Sequence, residues 1–430
     1  MKKIIFVLLL LIYSQNAFSQ AQFNNDRERW KSGSVYSYFG VGSPNSFYSS
    51  QAAGMGLQGV SLYNPYSNNG SNPALWGYPV FTTGVASMYV STYDASDSNQ
   101  KAAYTNVGIG SMQILFPVER NRLGLNISLQ PYSTVGYRIQ TQNVKPAGEL
   151  LSDAPVTYLT EQRGVGGLNK LEAGIGFGIT KGISVGFAPS LVFGLIERDN
   201  EIAFDTLLFQ NVEFKNRELM KGFGGRAGLM ANTSSIFNDN DNISFGLTYE
   251  LSTKIDVKER LYTRYLADEV ELPTRSDEQQ SIPGKISAGL AYRPSNFFLV
   301  SGEVSHQGWG SYKDAASMDQ VTFSDQTTLG LGAELMIKNR RANKFFSNLI
   351  YRAGLSHDSG YLKFEDQNIS TTTVHGGFGI PSRFTSSSID INFSYGVRGP
   401  GGDDFVTEKI FLTRISFNLS EPMFIRRKLQ

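Results

Sequence analysis

Between Asn242 and Ser252 every second residue is apolar: Ile243, Phe245, Leu247, Tyr249 and Leu251 alternate with Ser244, Gly246, Thr248, Glu250 and Ser252. Successive side chains of a β-strand point to opposite faces, so this segment is a strand with one greasy face and one small, polar face. The same code recurs after Lys181 as Ile183, Val185, Phe187, Leu191, Phe193 and Leu195. It returns after Thr327 as Leu329, Leu331, Leu335 and Ile337, and near the end as Phe411, Ile415, Phe417 and Leu419. From Tyr78 onward scarcely a helical period interrupts it.

The alternation predicts strands at 78–92, 103–118, 121–140, 165–180, 182–197, 213–232, 242–258, 284–294, 296–310, 327–338, 345–357, 371–380, 385–397 and 407–420. A soluble sandwich alternates too. The connections argue against it, because every second one is short, as at Thr180-Lys181-Gly182 and Arg293-Pro294-Ser295-Asn296. The intervening ones, 141–164, 198–212, 259–283, 311–326 and 358–370, are long and polar. An even number of long strands with short turns at one rim and long loops at the other is the pattern of an outer-membrane barrel, with the short side periplasmic. The expected fold is therefore all-β: a transmembrane antiparallel β-barrel of fourteen strands.

The N-terminus fits that compartment. Met1-Lys2-Lys3 is a positive n-region, Ile4 to Tyr13 an unbroken apolar run, and Ala17-Phe18-Ser19 sets small residues before Gln20. Ten apolar residues cover only about 15 Å of helix against a hydrocarbon core of about 30 Å, so residues 1–19 read as a cleaved signal peptide rather than an anchor. Lys+Arg 39 against Asp+Glu 38 becomes 37 against 38 once Lys2 and Lys3 leave, which gives no bulk attraction for nucleic acid. With no Cys in the chain, disulfides and thiolate chemistry are excluded.

By alternation, Lys170, Glu172, Arg226, Glu250, Lys285, Arg293, Glu303, Glu334, Arg352, Asp390 and Arg414 point into the lumen. Such mixed signs suit either an aqueous pore or a lumen filled by a plug offering ion-pair partners. Residues 20–77 are the available plug, since no charged residue occurs between Lys31 and Asp94 and a solvated tail would carry some. The domain reading is thus signal 1–19, plug 20–77, barrel 78–420 and a basic periplasmic tail 421–430.

Particular residues carry a family likeness. Gly54-Met55-Gly56-Leu57-Gln58-Gly59-Val60-Ser61-Leu62 followed by Asn72-Pro73-Ala74-Leu75 resembles the N-terminal hatch of the FadL/TodX family of outer-membrane transporters for long-chain fatty acids and other hydrophobic compounds. Ile282-Pro283-Gly284-Lys285 through Gly289-Leu290-Ala291-Tyr292-Arg293-Pro294, then Trp309-Gly310-Ser311-Tyr312, is similar to that family's hairpin ending in Trp-x-x-Tyr. Tyr351-Arg352-Ala353-Gly354-Leu355 with Gly377-Phe378-Gly379-Ile380-Pro381 is a third match. The resemblance implies a fourteen-stranded barrel with an N-terminal hatch in its lumen, and passive uptake of a hydrophobic small molecule through it. It also implies a lateral route to membrane lipid at a kinked third strand.

Several residues become candidates on that basis. Asn72, Pro73 and Ala74 would lock the hatch, since Asn bonds backbone both ways, Pro fixes φ and Ala packs closely. Gly54, Gly56 and Gly59 serve either as a hinge or for tight packing. Pro131, with Gly136 beyond it, sits inside the third strand, where a residue lacking N–H interrupts the ladder unless it occupies a bulge. The two readings there are a lateral opening and an ordinary bulge, and Pro189 in the fifth strand is a control without expected function. Position alone nominates Trp76, Phe81 and Tyr132 as ligand contacts.

No cofactor is called for. His306, His357 and His375 fall in or near different strands without a supporting Ser/His/Asp context, so no enzyme is expected. The Asp94-Ala95-Ser96-Asp97 and Gly401-Gly402-Asp403-Asp404 clusters are read as solvated loops rather than Ca²⁺ sites, so no metal is expected either. A monomer in the outer membrane of a Gram-negative bacterium is expected, and the Ser19-Gln20 junction with its aromatic, asparagine-rich sequel resembles Bacteroidetes sequences in style. The alternative function is an interaction or shuttle component of type IX protein secretion, with an exported protein as partner. Outer loops no longer than 259–283 favour transport over such a shuttle.

Overall fold

A computed structural model describes residues 33–421, apart from 46–48, 65, 99–100, 147–154, 206–208, 266–267, 274–277, 313–320, 337–344, 383–385 and 401–404. The expected signal peptide, the first residues of the expected plug, the Gly401-to-Asp404 cluster and the expected tail beyond Glu421 lie outside the described residues.

Alternation of the kind seen at Ile243–Leu251 produces fourteen antiparallel strands closed into one barrel. They are β1 (Thr82–Ser96), β2 (Lys101–Glu119), β3 in two pieces (Leu123–Pro131 and Ser133–Pro146), β4 (Pro155–Gly178), β5 (Ile183–Phe204) and β6 (Val212–Ser234). β7 (Asn242–Glu250, then Thr253–Tyr265) and β8 (Glu278–Ile282, then Lys285–Ser295) are also stepped. The rest are β9 (Phe298–Gln307), β10 (Gln326–Met336), β11 (Ile350–Asp358), β12 (Thr371–Pro381), β13 (Ser388–Arg398) and β14 (Thr407–Glu421). Closure is made by β14 on β1, in register from Thr82↔Glu421 to Ser96↔Thr407. Among the described residues no helix is long and apolar enough to cross a membrane; the strands cross instead.

The two faces segregate as their chemistry requires. On β7, Phe245 and Tyr249 are exposed while Ser244, Gly246 and Thr248 are buried inside. Leu329, Leu331, Leu355, Val374 and Leu419 likewise present more than half of their surface outward, which in water would be costly and in hydrocarbon is not.

The structure corrects the expected loops. Segments 141–164 and 198–212 were expected as polar loops but are largely strand: β3 runs to Pro146 and β4 starts at Pro155, while β5 runs to Phe204 and β6 starts at Val212. In 259–283, β7 continues to Tyr265 and Asp268–Leu272 folds back onto it. These extensions rise above the membrane, where both faces are wet and the apolar alternation that marks a strand disappears. Within 311–326 and 358–370, Val321–Phe323, Leu362–Phe364 and Gln367–Asn368 form a separate three-stranded sheet. The strand expected from 345 begins at Ile350, and Phe345–Asn348 before it form a 3₁₀ turn; residues 337–344 lie outside the described residues.

Residues 33–81 precede β1 and run down the inside of the barrel. Short local signals shape this lumen segment: Ser34 caps Val35–Tyr38, Ser49 caps Ser50–Ala53, and Asn72 caps the 3₁₀ turn Pro73–Gly77.

Candidate functional site

The lumen segment is bound to inward side chains at every level. At the outer end, Ser34 Oγ donates to the Glu408 carboxylate at 2.7 and 2.9 Å and Val35 N–H adds a bond at 2.8 Å. Halfway down, Glu303 accepts the N–H groups of Gln58, Gly59 and Val60 at 2.7–2.9 Å. The expected mixed-sign interior resolves into pairs that also hold this segment. Arg352 bridges Glu334 and Asp390 at 2.8 and 2.7 Å, and Gln51 donates to the same Glu334. Arg226 pairs with Glu172 at 2.7 Å and donates to the Gly70 and Ser71 carbonyls.

Asn72 is fully buried and bonded in both directions: its Oδ1 accepts Ala74 N–H, and its Nδ2 donates to Val60 O at 2.9 Å and to Leu229 O on β6 at 3.0 Å. Pro73 and Ala74 lie against Gly186 and Gly228. Gly56 and Gly59 have φ of +69° and +99°, conformations that side chains rarely adopt, whereas Gly54 is an ordinary helix C-cap packed on Asn392 and Arg352.

The wall itself is interrupted beside Pro131. β2 pairs with β3 from Glu119↔Leu123 to Met112↔Leu129, and among the described residues no pairing continues above. The outer half of β2, Lys101–Ser111, therefore keeps β1 as its one ladder partner among the described residues. The outer half of β3 pairs with β4 instead, three residues, 132–134, facing the two of 167–168 across a bulge. Tyr132 N–H donates to Leu168 O and its carbonyl accepts Asn45 N–H. The lumen segment covers the inner side of β3 here: Ser43 and Pro44 pair with Thr134 and Ser133, and Gly136 N–H donates to Ser37 Oγ at 3.0 Å. Pro189 shows that proline alone does not split the wall, because β5 keeps one register with β6 straight through it.

A cavity of about 220 Å³ abuts this seam. Asn106 and Gly110 of β2 line it from one bank, and Pro131, Thr134 and Gly136 of β3 from the other. Tyr89, Tyr93, Ile410 and Leu412 give it an apolar wall; Asp358, His375, Arg398 and Arg414 give it a polar one. His375 is fixed between Ser356 and Ser394, with ring nitrogens 2.8 and 2.9 Å from their hydroxyls. A second cavity of about 60 Å³ continues past Gln130 and Pro131 to Tyr132, whose ring lies 5.5 Å from the Lys170 ammonium. Above both, Trp309, Tyr312, Phe323 and Tyr361 pack ring on ring at 4.8–6.5 Å, joined by Tyr36, Phe39 and Phe364, and close the outer end.

Of the ligand contacts nominated by position, Tyr132 lines the smaller cavity. Trp76 and Phe81 lie at the periplasmic end, where Trp76 Nε1 donates to Asn69 O and Phe81 stacks on Tyr66. The residues of the large cavity on β1 and β14 escaped sequence reading, although inward parity on those strands, Tyr89 and Tyr93 against Ile410 and Leu412, carries the signal. His306 and His357 are exposed on the outer face and His375 is buried inside, so the three do not converge.

A closed fourteen-stranded barrel with chain threaded through its lumen and a third strand broken beside a cavity is the fold of FadL-type outer-membrane barrels. Solved structures of that class share the fold: the CymD monoaromatic hydrocarbon channel at a TM-score of 0.57 and 14% identity, over 88% of this chain and 99% of that one. The Pseudomonas putida toluene transporter TodX aligns at 0.55 and 14%, over 88% and 99%, and a Pseudomonas aeruginosa FadL homologue at 0.57 and 13%, over 87% and 99%. At that identity the likeness is one of fold. The sequence profile of the BamG family matches residues 1–430, and the chain belongs to the BamG family. No protein of curated function matches it in sequence.

Proposed function

We propose that the protein is an outer-membrane channel for compact hydrophobic molecules, which exchange between the lumen and the membrane through the seam between β2 and β3. In this reading residues 20–77 act as a hatch, Asn72-Pro73-Ala74 locks it, and Pro131 and Gly136 frame the portal. One observation carries the proposal: the cavity of about 220 Å³ is lined by both banks of a stretch of wall that lacks ladder pairing among the described residues. Its size sets the class of ligand. A cavity of about 150 Å³ holds benzene, so about 220 Å³ suits a single-ring or short-chain molecule better than a long-chain fatty acid lying wholly inside. The fold relatives named for hydrocarbon and toluene transport support the same class. Tyr89, Tyr93, Ile410 and Leu412 would take the apolar body, while the Ser, Thr and His wall would take any hydroxyl or carbonyl it bears.

A second reading, a partner-binding role in protein secretion, draws on one observation. The outer half of β2 offers a free strand edge, and backbone groups at membrane depth are costly to leave unpaired. Native mass spectrometry of the detergent-purified protein separates the two readings. A retained apolar small molecule whose occupancy changes in Pro131→Ala supports transport. An exported protein that co-purifies in stoichiometric amount, with no small molecule retained, replaces transport with the partner role.

A further inference from the structure

Cations gather on one sector of the outer wall, at the height where the lipid-facing residues end. On the outward face of β6 and β7, register sets Phe223 beside Lys254, Lys221 beside Asp256, Leu219 beside Lys258 and Arg217 beside Arg260. Phe223 and Leu219 are 71% and 56% exposed and belong to the apolar band, and Lys221 lies between them with Nζ 5.6 Å from the Phe223 ring centre. A lysine at that height lays its stem along hydrocarbon and lifts its ammonium into the headgroup layer. On β7 the outward apolar run from Ile243 ends at Leu251, beside the step in the strand, and Lys254 is the first outward residue of the piece above it.

Five cations, Arg217, Lys221, Lys254, Lys258 and Arg260, thus share two adjacent strands with one carboxylate, Asp256, while Arg217 also reaches Glu197 on β5 at 3.3 Å. Bulk charge does not explain the cluster, since Lys+Arg 39 and Asp+Glu 38 balance over the chain. Asp256 accepts a bond from Gln279 Nε2 at 3.1 Å, and Lys221, Lys254 and Lys258 make no ion pair among the described residues. Arg217 directly opposite Arg260 is a like-charge pair, costly across strands unless an anion lies between. At the same boundary β9 to β12 carry instead His306, Thr327, His357 and Thr372, which bond one another in pairs at 3.1 and 2.9 Å.

The lipid face below the cations is grooved. Ala227 on β6 lies in register between Phe187 of β5 and Tyr249 of β7, so a methyl group sits between two exposed rings. Gly225, the next outward residue above it, has no side chain at all. Together they leave a trough one strand wide beneath Phe223.

We propose that this sector binds a phosphate-bearing lipid of the outer leaflet, with its phosphates on the five cations and an acyl chain in the trough. Guanidinium groups match phosphate oxygens in a fork, and the lysines add point charges that adapt to the headgroup. Charge complementarity selects an anionic headgroup over a zwitterionic one. The site lies on the lipid side of β6 and β7, away from the seam, and does not depend on what crosses there.

Native mass spectrometry of the folded full chain in detergent, supplied with equal amounts of diphosphorylated lipid A and phosphatidylethanolamine, reads the selectivity. Lipid A is expected to be retained roughly tenfold more. Lys221→Gln/Lys254→Gln is expected to abolish that preference and Lys221→Arg/Lys254→Arg to keep it. Lys101→Gln/Lys409→Gln, which removes two exposed cations from β2 and β14, is expected to leave it unchanged. Equal retention of the two lipids by the parent chain, a preference that survives in Lys221→Gln/Lys254→Gln, or an equal loss in the β2–β14 pair overturns the proposal. Sodium phosphate is then compared with sodium chloride at equal ionic strength. Lipid A is expected to stay bound equally in both, whereas its selective release by phosphate would make this a site for a free anion and overturn the lipid.

Discussion

The Tyr104 hydroxyl donates to the Arg138 backbone carbonyl at 3.4 Å, bridging the outer halves of β2 and β3 where their ladder has ended. A long side-chain bond stands here in place of a ladder, which leaves the two strand halves weakly joined. Tyr104→Phe removes the bond and leaves the ring, so it is expected to speed ligand exchange severalfold without lowering the heat needed to unfold the barrel. Stopped-flow release of a fluorescent aromatic probe, beside electrophoretic heat-modifiability, reads the two quantities separately.

Asn72 stitches two parts of the lumen segment to β6. Asn72→Ala strips partners from Val60 O, Leu229 O and Ala74 N–H in a buried place and is expected to cost about 2–4 kcal/mol of lumen-segment docking. Asn72→Asp should be worse, since an acceptor would face two carbonyls. Limited proteolysis of the folded protein measures this as faster cleavage before β1, with the barrel intact.

A methyl group tests how closely the lumen segment packs on the wall. Gly354→Ala places a Cβ into Met55 backbone and is expected to destabilise the docked segment by about 1–3 kcal/mol. In Gly302→Ala the nearest atom would be 3.7 Å away, an ordinary contact, so stability should be unchanged. Chemical unfolding of the two variants side by side gives the comparison.

Burial pushes the Tyr63 phenol up to about 12, and the neighbouring Tyr78 and Tyr66 add in the same direction. The folded state therefore holds this proton when the unfolded chain has lost it, and stability falls as pH rises from the ordinary value of 10 towards 12. Tyr63 also donates to Tyr78 O at 3.0 Å, a bond that ionisation removes. Tyr63→Phe should weaken the alkaline dependence of lumen-segment protection while lowering protection at neutral pH, measured by proteolysis at stepped pH.

Much of this architecture can be read in the sequence because membrane strands are written in local code. Ile243 to Leu251 alternates because one face meets lipid, and Asn72-Pro73-Ala74 stands out because a cap, a fixed φ and a small side chain lie together. Thr141, Gln142 and Asn143 do not announce a strand, since above the membrane both faces are polar. Pro131 signals a break, but where β2 and β3 part is a pairing between distant residues that no local pattern encodes. The cavity is hidden for the same reason: Tyr89 and Leu412 become neighbours through closure of β1 on β14, from opposite ends of the barrel sequence.

The seam beside Pro131 is the proposed portal for the ligand. Asn106 and Gly136 line the cavity from its two banks, so an Asn106→Cys/Gly136→Cys pair joined by a short reducible thiol linker ties the seam shut. Exchange of a single-ring fluorescent probe between cavity and lipid should fall at least tenfold on cross-linking and recover on reduction. Exchange at an unchanged rate with the linker in place would contradict the account.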